Sequence, residues 1–181
     1  EKKPASGFWA FTLVLLALAL SGYGMREALR VPPVREVRMQ VPGLPDALNG
    51  FRIAQLSDLH IGPTFGKAWL TDVGARTDSL NPDLIVITGD VVDGSPSRLE
   101  EDVAPLADLK AKYGVIFAPG NHEYYSGIQQ WLPVFQRLGM HVLMNENTQI
   151  RVNGTPLAIA GVTDTAALNW GLEGPDPEKA L

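Results

Sequence analysis

The stretch Leu84–Asp93 reads LIVITGDVVD, in which four apolar residues and a threonine are followed by Gly-Asp-Val-Val-Asp. A short apolar run bounded by turn-forming residues is typical of a buried β-strand. Asp90 and Asp93 would then follow the carboxyl end of that strand. This stretch predicts a buried strand that delivers acidic side chains to one edge of a sheet.

Two further stretches, one on each side of this one, repeat the arrangement. Phe51–Leu56 reads FRIAQL and is followed by Ser57-Asp58-Leu59-His60. Val115–Ala118 reads VIFA and is followed by Pro119-Gly120-Asn121-His122-Glu123. Each apolar run again predicts a buried strand, so the chain has three predicted strands that each end in polar residues.

The three motifs are evenly spaced along the chain. Asp58 and Asp90 are 32 positions apart, and Asp90 and Asn121 are 31 positions apart. That interval fits one strand–helix–strand crossover, and parallel strands would bring their carboxyl ends to one edge, where open α/β sheets bind ligands. Carboxylates, the imidazole of His60 and an amide would converge there. This donor set suits divalent transition metals better than a sulfur-preferring ion.

The residue types also suit a specific chemistry. A carboxylate can bridge two cations, and two metals roughly 3.5–4 Å apart can hold an attacking hydroxide and clamp a phosphoryl group. Taken singly, each motif is common in structural turns, because Gly-Asp and Gly-Asn are turn-forming pairs. Three such motifs in order, each directly after a predicted strand, instead indicate a metal site.

The motifs Asp-x-His, Gly-Asp-x-x-Asp and Gly-Asn-His-Glu resemble those of the calcineurin-like metallophosphoesterase superfamily over roughly residues 50–165. The segments QLSDLHIG and TGDVVD are most similar to its membrane-associated bacterial branch, which resembles UDP-2,3-diacylglucosamine hydrolases and related phosphodiesterases. The resemblance implies an α/β fold in which helices flank a β-sandwich.

The resemblance also implies roles for individual residues. Two divalent ions (Mn, Fe or Zn) would be held by four ligands: Asp58, His60, Asp90 and Asn121. Asp90 would bridge both ions. His122 would face the substrate phosphate and assist the leaving group or the transition state. Asp93 and Glu123 would be supporting residues that do not bind metal.

The chain departs from the family pattern downstream. The family completes its site with a later His and a Gly-His-x-His motif, and neither is present here. The one histidine left unassigned is His141, in a segment that predicts the start of a strand, and we expect it to be a satisfied structural residue. We therefore expect the chain to be a fragment truncated at both ends, with residues 51–181 as the first part of the catalytic domain.

The composition excludes some functions. The 181 residues carry a formal net charge of −5 and a pI near 5.1, which argues against a nucleic-acid-binding surface. The absence of cysteine excludes disulfides and thiolate metal sites. An apolar share of 45% is ordinary for a globular domain with a core of its own.

An apolar segment precedes the motifs. Residues 4–24 carry no charge, and these 21 residues would span a hydrocarbon core of about 30 Å as a helix. We predict a membrane helix in residues 1–24, either a single pass or the last of several. The alternative is a signal peptide, with Lys2-Lys3 as its basic start and Ala17–Ala19 near its cleavage site. The arginine excess after the segment favours a cytoplasmic catalytic domain.

The remaining chain gives local predictions. Residues 25–50 are a predicted connector in which Val34–Val41 alternates as an edge strand would. Helices are predicted at Lys67–Leu80, Ser97–Tyr113 with a kink at Pro105, and Ile128–Leu138, and strands at Val142–Met144, Gln149–Val152 and Leu157–Ala160. Asn153-Gly154 predicts a hairpin turn. Trp170 lies in a loop, where it would either pack on the domain or contact lipid.

Together these features predict a hydrolase of phosphodiesters or pyrophosphates, and lipid-linked esters are among the candidate substrates. Two alternatives remain open. The same motifs also serve phosphomonoesterases and nucleotidases. A membrane-tethered scaffold without catalytic activity is the other alternative, although the retained ligand residues argue against it.

Overall fold

The computed structural model describes residues 6–181, which divide into two compact units with the boundary between Val34 and Arg35. The helices are α1 (Ser6–Ala28), α2 (Lys67–Asp78), α3 (Pro96–Val103), α4 (Asn121–Tyr125), α5 (Ile128–Arg137) and α6 (Pro177–Ala180). The strands are β1 (Ile53–Leu56), β2 (Leu84–Ile87), β3 (Val115–Phe117), β4 (Met140–Val142), β5 (Glu146–Val152) and β6 (Thr155–Gly161). Short 3₁₀ helices lie at Asp46–Leu48, Ala104–Asp108 and Thr165–Trp170.

The first unit consists mainly of α1, which confirms the predicted apolar helix. Its 23 residues would extend about 35 Å, and its stretch Gly7–Ala28 is long and apolar enough to cross a membrane. The most apolar part of this stretch is entirely exposed. Its apolar surface is therefore available to lipid or to another partner. A signal sequence would have the same properties. Lys2-Lys3, the basic start in that alternative, lies outside the described residues.

The second unit contains the predicted parallel sheet. Its strand order is β1-β2-β3-β4 and every neighbouring pair is parallel. Each connection carries at least one helix, so the predicted α/β class and the strand–helix–strand crossovers are confirmed. Because the strands are parallel, the segments that follow β1, β2 and β3 all lie at the same edge of the sheet.

Burial differs among these strands. All of β3 and most of β2 are buried, as the continuous apolar runs predict. The prediction of a buried strand is wrong for β1, in which Ile53 is 52% exposed. The physical reason is its place in the sheet, because β1 pairs only with β2 and is an outer strand in the part of the chain that the structure describes.

A second, two-stranded sheet is formed by β5 and β6. They pair antiparallel through the predicted Asn153-Gly154 turn, and both turn residues have the positive φ angles that such a turn requires. Ile159 of β6 packs against buried Leu84, Ile116 and Leu143. The hairpin therefore covers part of one face of the parallel sheet, and the two sheets form a partial sandwich.

The core beside the parallel sheet is aromatic. The ring of Phe135 in α5 lies 4.5 Å from that of Phe117 in β3 and stacks on that of Trp131 at 5.2 Å. All three side chains are fully buried, and aromatic pairs in such geometry add about 0.5–1.5 kcal/mol beyond burial itself. The Trp131 indole also donates to the Gly94 carbonyl at 2.9 Å, which ties α5 to the loop after β2.

Some local predictions are wrong. Val34–Val41 is not a strand, because it has no strand partner among the described residues, and Met39 is 79% exposed. The helix predicted to reach Tyr113 ends at Val103 and continues as a 3₁₀ turn that contains Pro105, a residue without the N–H that an α-helix needs. The strand predicted at Val142–Met144 begins two residues earlier, at Met140.

Candidate metal centre

The loop after β1 is held on the loop after β2 by backbone hydrogen bonds. His60 N–H donates to the Asp90 carbonyl at 3.0 Å, and Ile61 N–H donates to the Val91 carbonyl at 2.8 Å. Asp58, His60 and Asp90 all have positive φ angles, of 56°, 44° and 53°. Such left-handed conformations cost non-glycine residues about 1–3 kcal/mol each and cluster at functional sites. With a third bond, from Asp58 N–H to the Gly89 carbonyl at 3.3 Å, these contacts involve all three residues that have the unusual backbone conformation.

Two glycines allow the loops after β2 and β3 to meet. Gly89 has φ +81°, and a Cβ on it would overlap the backbone of Gly120. A Cβ on Gly120 would in turn overlap the carboxylate and the backbone nitrogen of Asp90. Only residues without side chains fit this contact, so the glycines of the two motifs bring Asp90 next to Asn121.

Glu123 fastens the same two loops together. Its carboxylate is fully buried and accepts N–H donors from Asp90 at 2.9 Å, Val91 at 2.7 Å and Gly120 at 2.8 Å. Burial raises the pKa of this carboxyl group, and the backbone hydrogen bonds oppose that rise. Every hydrogen bond that the Glu123 carboxylate makes within the described residues is to a backbone N–H, and its supporting role stays a prediction.

Candidate ligand atoms converge above this backbone. Atoms of His60, Asp90 and His122 lie within 4.8 Å of one another. The amide nitrogen of Asn121, in the orientation that satisfies its hydrogen bonds, is 3.1 and 3.2 Å from the two carboxylate oxygens of Asp90. The backbone N–H of His122 donates to the same carboxylate at 3.0 Å. Asp90 therefore lies close to three of the predicted site residues, which are His60, Asn121 and His122.

Asp58 lies at the margin of this group. Its side chain is 65% exposed, its Oδ1 is 3.9 Å from His60 Nε2, and it accepts a hydrogen bond from the Ser57 hydroxyl. His141 lies apart, in the middle of β4. The predicted strand is confirmed for His141, and its side chain is exposed to solvent and makes no hydrogen bond to protein among the described residues.

Asp93 joins the two imidazoles. Its Oδ1 is 3.0 Å from His60 Nδ1 and 2.6 Å from His122 Nδ1, and the two rings meet edge to face at 4.5 Å. The hydrogen bond to Asp93 is the largest contribution that raises the pKa of His60. Partial burial raises the pKa of Asp93, but the two imidazoles outweigh it and the net shift is downward. With each Nδ1 occupied, each Nε2 is left for a metal or a substrate.

The donor chemistry fits a divalent metal ion. Imidazole nitrogen and carboxylate oxygen are borderline-to-hard ligands of the kind that Mn²⁺, Fe²⁺ and Zn²⁺ accept. Within residues 6–181 the structure brings together one group of three such donors, from His60, Asp90 and His122. This group suits one ion, and a second would need Asp58, Asn121 or donors from elsewhere.

The sequence interpretation missed two features near the site. The ring of Tyr125, an exposed residue, lies 5.6 Å from that of His122, and only its place three residues after His122 could have indicated this. The 3₁₀ helix Thr165–Trp170 packs beside α4 through Ala166 and Ala167, which share a buried cluster with Tyr124. Trp170 itself remains 55% exposed.

Comparison with known proteins agrees with this geometry. The model of the calcineurin-like phosphoesterase family matches residues 51–171, more than half of the chain, which confirms the resemblance read from the motifs. A Danio rerio transmembrane protein with a metallophosphoesterase domain is 36% identical, over 100% of this chain and 43% of that protein. A metallophosphoesterase of Campylobacter jejuni is 32% identical, over 91% of this chain and 42% of that protein.

A shorter similarity involves a protein with a named substrate. The UDP-2,3-diacylglucosamine pyrophosphatase of Chlamydia trachomatis is 40% identical over 81 residues, which are 42% of this chain and 24% of that protein. The chain spans about two fifths of the length of the fish and Campylobacter relatives. Relatives therefore occur in an animal and in bacteria, so the similarity does not single out the bacterial branch.

Proposed function

The chain belongs to the calcineurin-like phosphoesterase family, and on that premise we propose that it hydrolyses phosphoesters at a centre of two divalent metal ions. The observation that carries this proposal is the convergence of His60, Asp90 and His122 within 4.8 Å at the carboxyl edge of a parallel sheet. That edge is where open α/β sheets bind ligands. Water is the second substrate of the reaction.

We propose that Asp58, His60, Asp90 and Asn121 hold the ions, with Asp90 shared between them. Mn, Fe and Zn all suit this donor set. Ions bound there would polarise the phosphoryl group and lower the pKa of water toward neutrality. The contacts of Asp90 support this sharing, because its carboxylate accepts from the backbone N–H of His122 and from the side-chain amide of Asn121.

His122 is proposed to act on the substrate. With Nδ1–H donated to the Asp93 carboxylate, Nε2 faces the substrate, and in the doubly protonated ring it can donate to a phosphoryl oxygen or protonate the leaving oxygen. The P–O ester bond would break as the oxygen of water bonds to phosphorus, and the proton from Nε2 would leave with the released alcohol or phosphate. The proton lost by the attacking water would pass to solvent, and Nε2 would regain a proton from solvent before the next cycle. Asp93 is a positioning residue in this scheme because it holds both imidazoles.

The substrate class is proposed as a phosphodiester or pyrophosphate, and a lipid-linked one is favoured. Two observations support lipid linkage: the apolar helix α1 and the similarity to a pyrophosphatase named for UDP-2,3-diacylglucosamine. A phosphomonoester is the second candidate, since the same residues would serve it.

The activity is tested with bis-p-nitrophenyl phosphate and the purified protein loaded with Mn²⁺. We expect release of p-nitrophenol that stops when a chelator removes the metal and returns when Mn²⁺ is restored. The bound metal, measured by elemental analysis, should fall and rise together with the activity. A metal-replete, folded protein that hydrolyses neither this diester nor p-nitrophenyl phosphate would contradict the proposal and favour the scaffold.

We also propose that α1 anchors the protein, that residues up to 50 form a connector, and that the catalytic part begins at residue 51. The names of the fish and bovine relatives, transmembrane proteins with a metallophosphoesterase domain, support membrane association. The arginine excess after α1 supports a cytoplasmic catalytic side.

Membrane anchoring predicts that the protein stays in the pellet through high-salt and carbonate washes, because α1 exposes a long run of apolar side chains, from Phe8 to Leu20 with Thr12 as the one polar residue among them. Deletion of residues 1–28 should release a soluble, folded protein. Protease added outside intact cells should leave the catalytic part uncut. A supernatant protein with a new N-terminus near residue 20 would instead establish a cleaved signal peptide.

A further inference from the structure

A cleft lies directly beside the candidate metal centre. It is lined by Pro63, Asp93, Gly94, Arg98 and Leu99. Pro63 belongs to the loop after β1, and Asp93 is the residue that contacts both imidazoles. The cleft therefore opens next to the position where a phosphoryl group would be hydrolysed.

Arg98 is the one basic residue among the five that line the cleft. Its side chain is exposed, and no hydrogen bond or ion pair within residues 6–181 involves its guanidinium. Arg137 of α5 differs in this respect, because it pairs with Glu100 of α3 at 2.6 Å. The charge of Arg98 is thus available to a ligand.

The backbone that carries Arg98 is held in place. Gly94 accepts the indole N–H of the fully buried Trp131 at 2.9 Å, and Arg98 N–H donates to the Ser95 carbonyl at 3.0 Å as α3 begins. The first turn of α3 is therefore fixed relative to Asp93. These two hydrogen bonds connect the backbone around Arg98 to α5 and to the start of α3.

The charge pattern indicates what the cleft would bind. The neighbouring centre carries three carboxylates, from Asp58, Asp90 and Asp93, and metal ions would balance these together with one phosphoryl group. A guanidinium placed just outside is suited to a further anion, because its planar N–H groups can bind two phosphate oxygens at once. A simple ester with one phosphate would leave Arg98 without a partner.

We propose that Arg98 binds a second phosphate, so that the preferred substrate is a pyrophosphate diester whose neighbouring phosphate is hydrolysed at the metal centre. This inference rests on the proposed function and narrows its substrate class. Arg98 acts here in substrate binding and specificity, while His60, Asp90 and His122 remain responsible for metal and chemistry.

The test compares two ligands that differ by one phosphate. UMP and UDP are measured as inhibitors of bis-p-nitrophenyl phosphate hydrolysis, with free Mn²⁺ held constant and in excess. For Arg98→Ala we expect the inhibition constant of UDP to rise about 10- to 100-fold, the range for loss of a hydrogen-bonded charged partner. The inhibition constant of UMP and the KM of the diester should change less than about threefold.

Two further variants sharpen the result. Arg98→Lys keeps the charge but loses the paired N–H groups, so the UDP constant should lie between those of the wild type and Arg98→Ala. Arg76→Ala removes an exposed arginine from α2 and should leave both constants unchanged. Equal weakening of UMP and UDP in Arg98→Ala, or no change in either, would overturn the inference.

Calorimetry separates this inference from the proposed function. Binding of UDP and UMP to the Mn²⁺-loaded protein is measured directly, without turnover. If the wild type hydrolyses no ester but binds UDP in an Arg98-dependent way, the proposed activity fails and the second phosphate site stands. If hydrolysis is normal and Arg98→Ala binds UDP as the wild type does, the proposed activity stands and the second phosphate site fails.

Discussion

Replacing Asp90 with Asn should reduce phosphoester hydrolysis to background and lower the metal content of the protein. The change keeps the size of the side chain and removes its negative charge, the property that allows one residue to be shared by two cations. The backbone of Asp90 should stay in place, because Glu123 and His60 bind its N–H and carbonyl and the substitution touches neither bond. Activity on bis-p-nitrophenyl phosphate and elemental analysis are the two measurements.

The matched control is Asp72→Asn, an identical chemical change at an exposed position of α2, which should leave both values at the wild-type level. Circular dichroism should show that both variants are folded. Near-normal turnover by Asp90→Asn would exclude Asp90 as the shared ligand.

Replacing His122 with Ala or Gln should lower kcat by roughly 10²–10⁴-fold, the range for a positioned acid–base group. The structure makes this a sharp test, since an atom of His122 lies within 4.8 Å of the candidate ligand atoms of His60 and Asp90. If His122 acts on the substrate, metal content should stay near the wild-type value while kcat falls. If the metal is lost in parallel with activity, His122 is a ligand and its assignment must change.

The control for this substitution is His141→Gln. His141 is an exposed residue in the middle of β4, outside the group around Asp90, so neither kcat nor metal content should respond. A large effect of His141→Gln would show that histidine substitutions disturb this protein for reasons unrelated to the site.

Much of the fold was predictable from local sequence. The runs that form β2 and β3 are continuous and apolar because both strands are buried in the sheet, and Asn153-Gly154 predicts the hairpin because both residues tolerate positive φ. Two of the failures have one cause. Whether Val34–Val41 pairs, or whether β1 is covered, depends on neighbours distant in the sequence.

The candidate site was also predictable from the sequence only in part. The motifs placed Asp90, Asn121 and His122 after consecutive parallel strands, which is sufficient to predict that they converge. The motifs did not show that Asp93 contacts both imidazoles or that Glu123 binds the backbone of two loops.

The sequence by itself therefore determined the strands, their spacing and the identity of the polar residues at the edge of the sheet, because each of these follows from short-range composition. Only the tertiary structure decided the position of Asp58 at the margin and the place of Arg98 in a cleft that Asp93 also lines. The contacts that set the site join residues about 30 positions apart, such as Asp90 and Glu123. Their distances depend on how the whole sheet and its helices pack, a property that no single segment of the chain encodes.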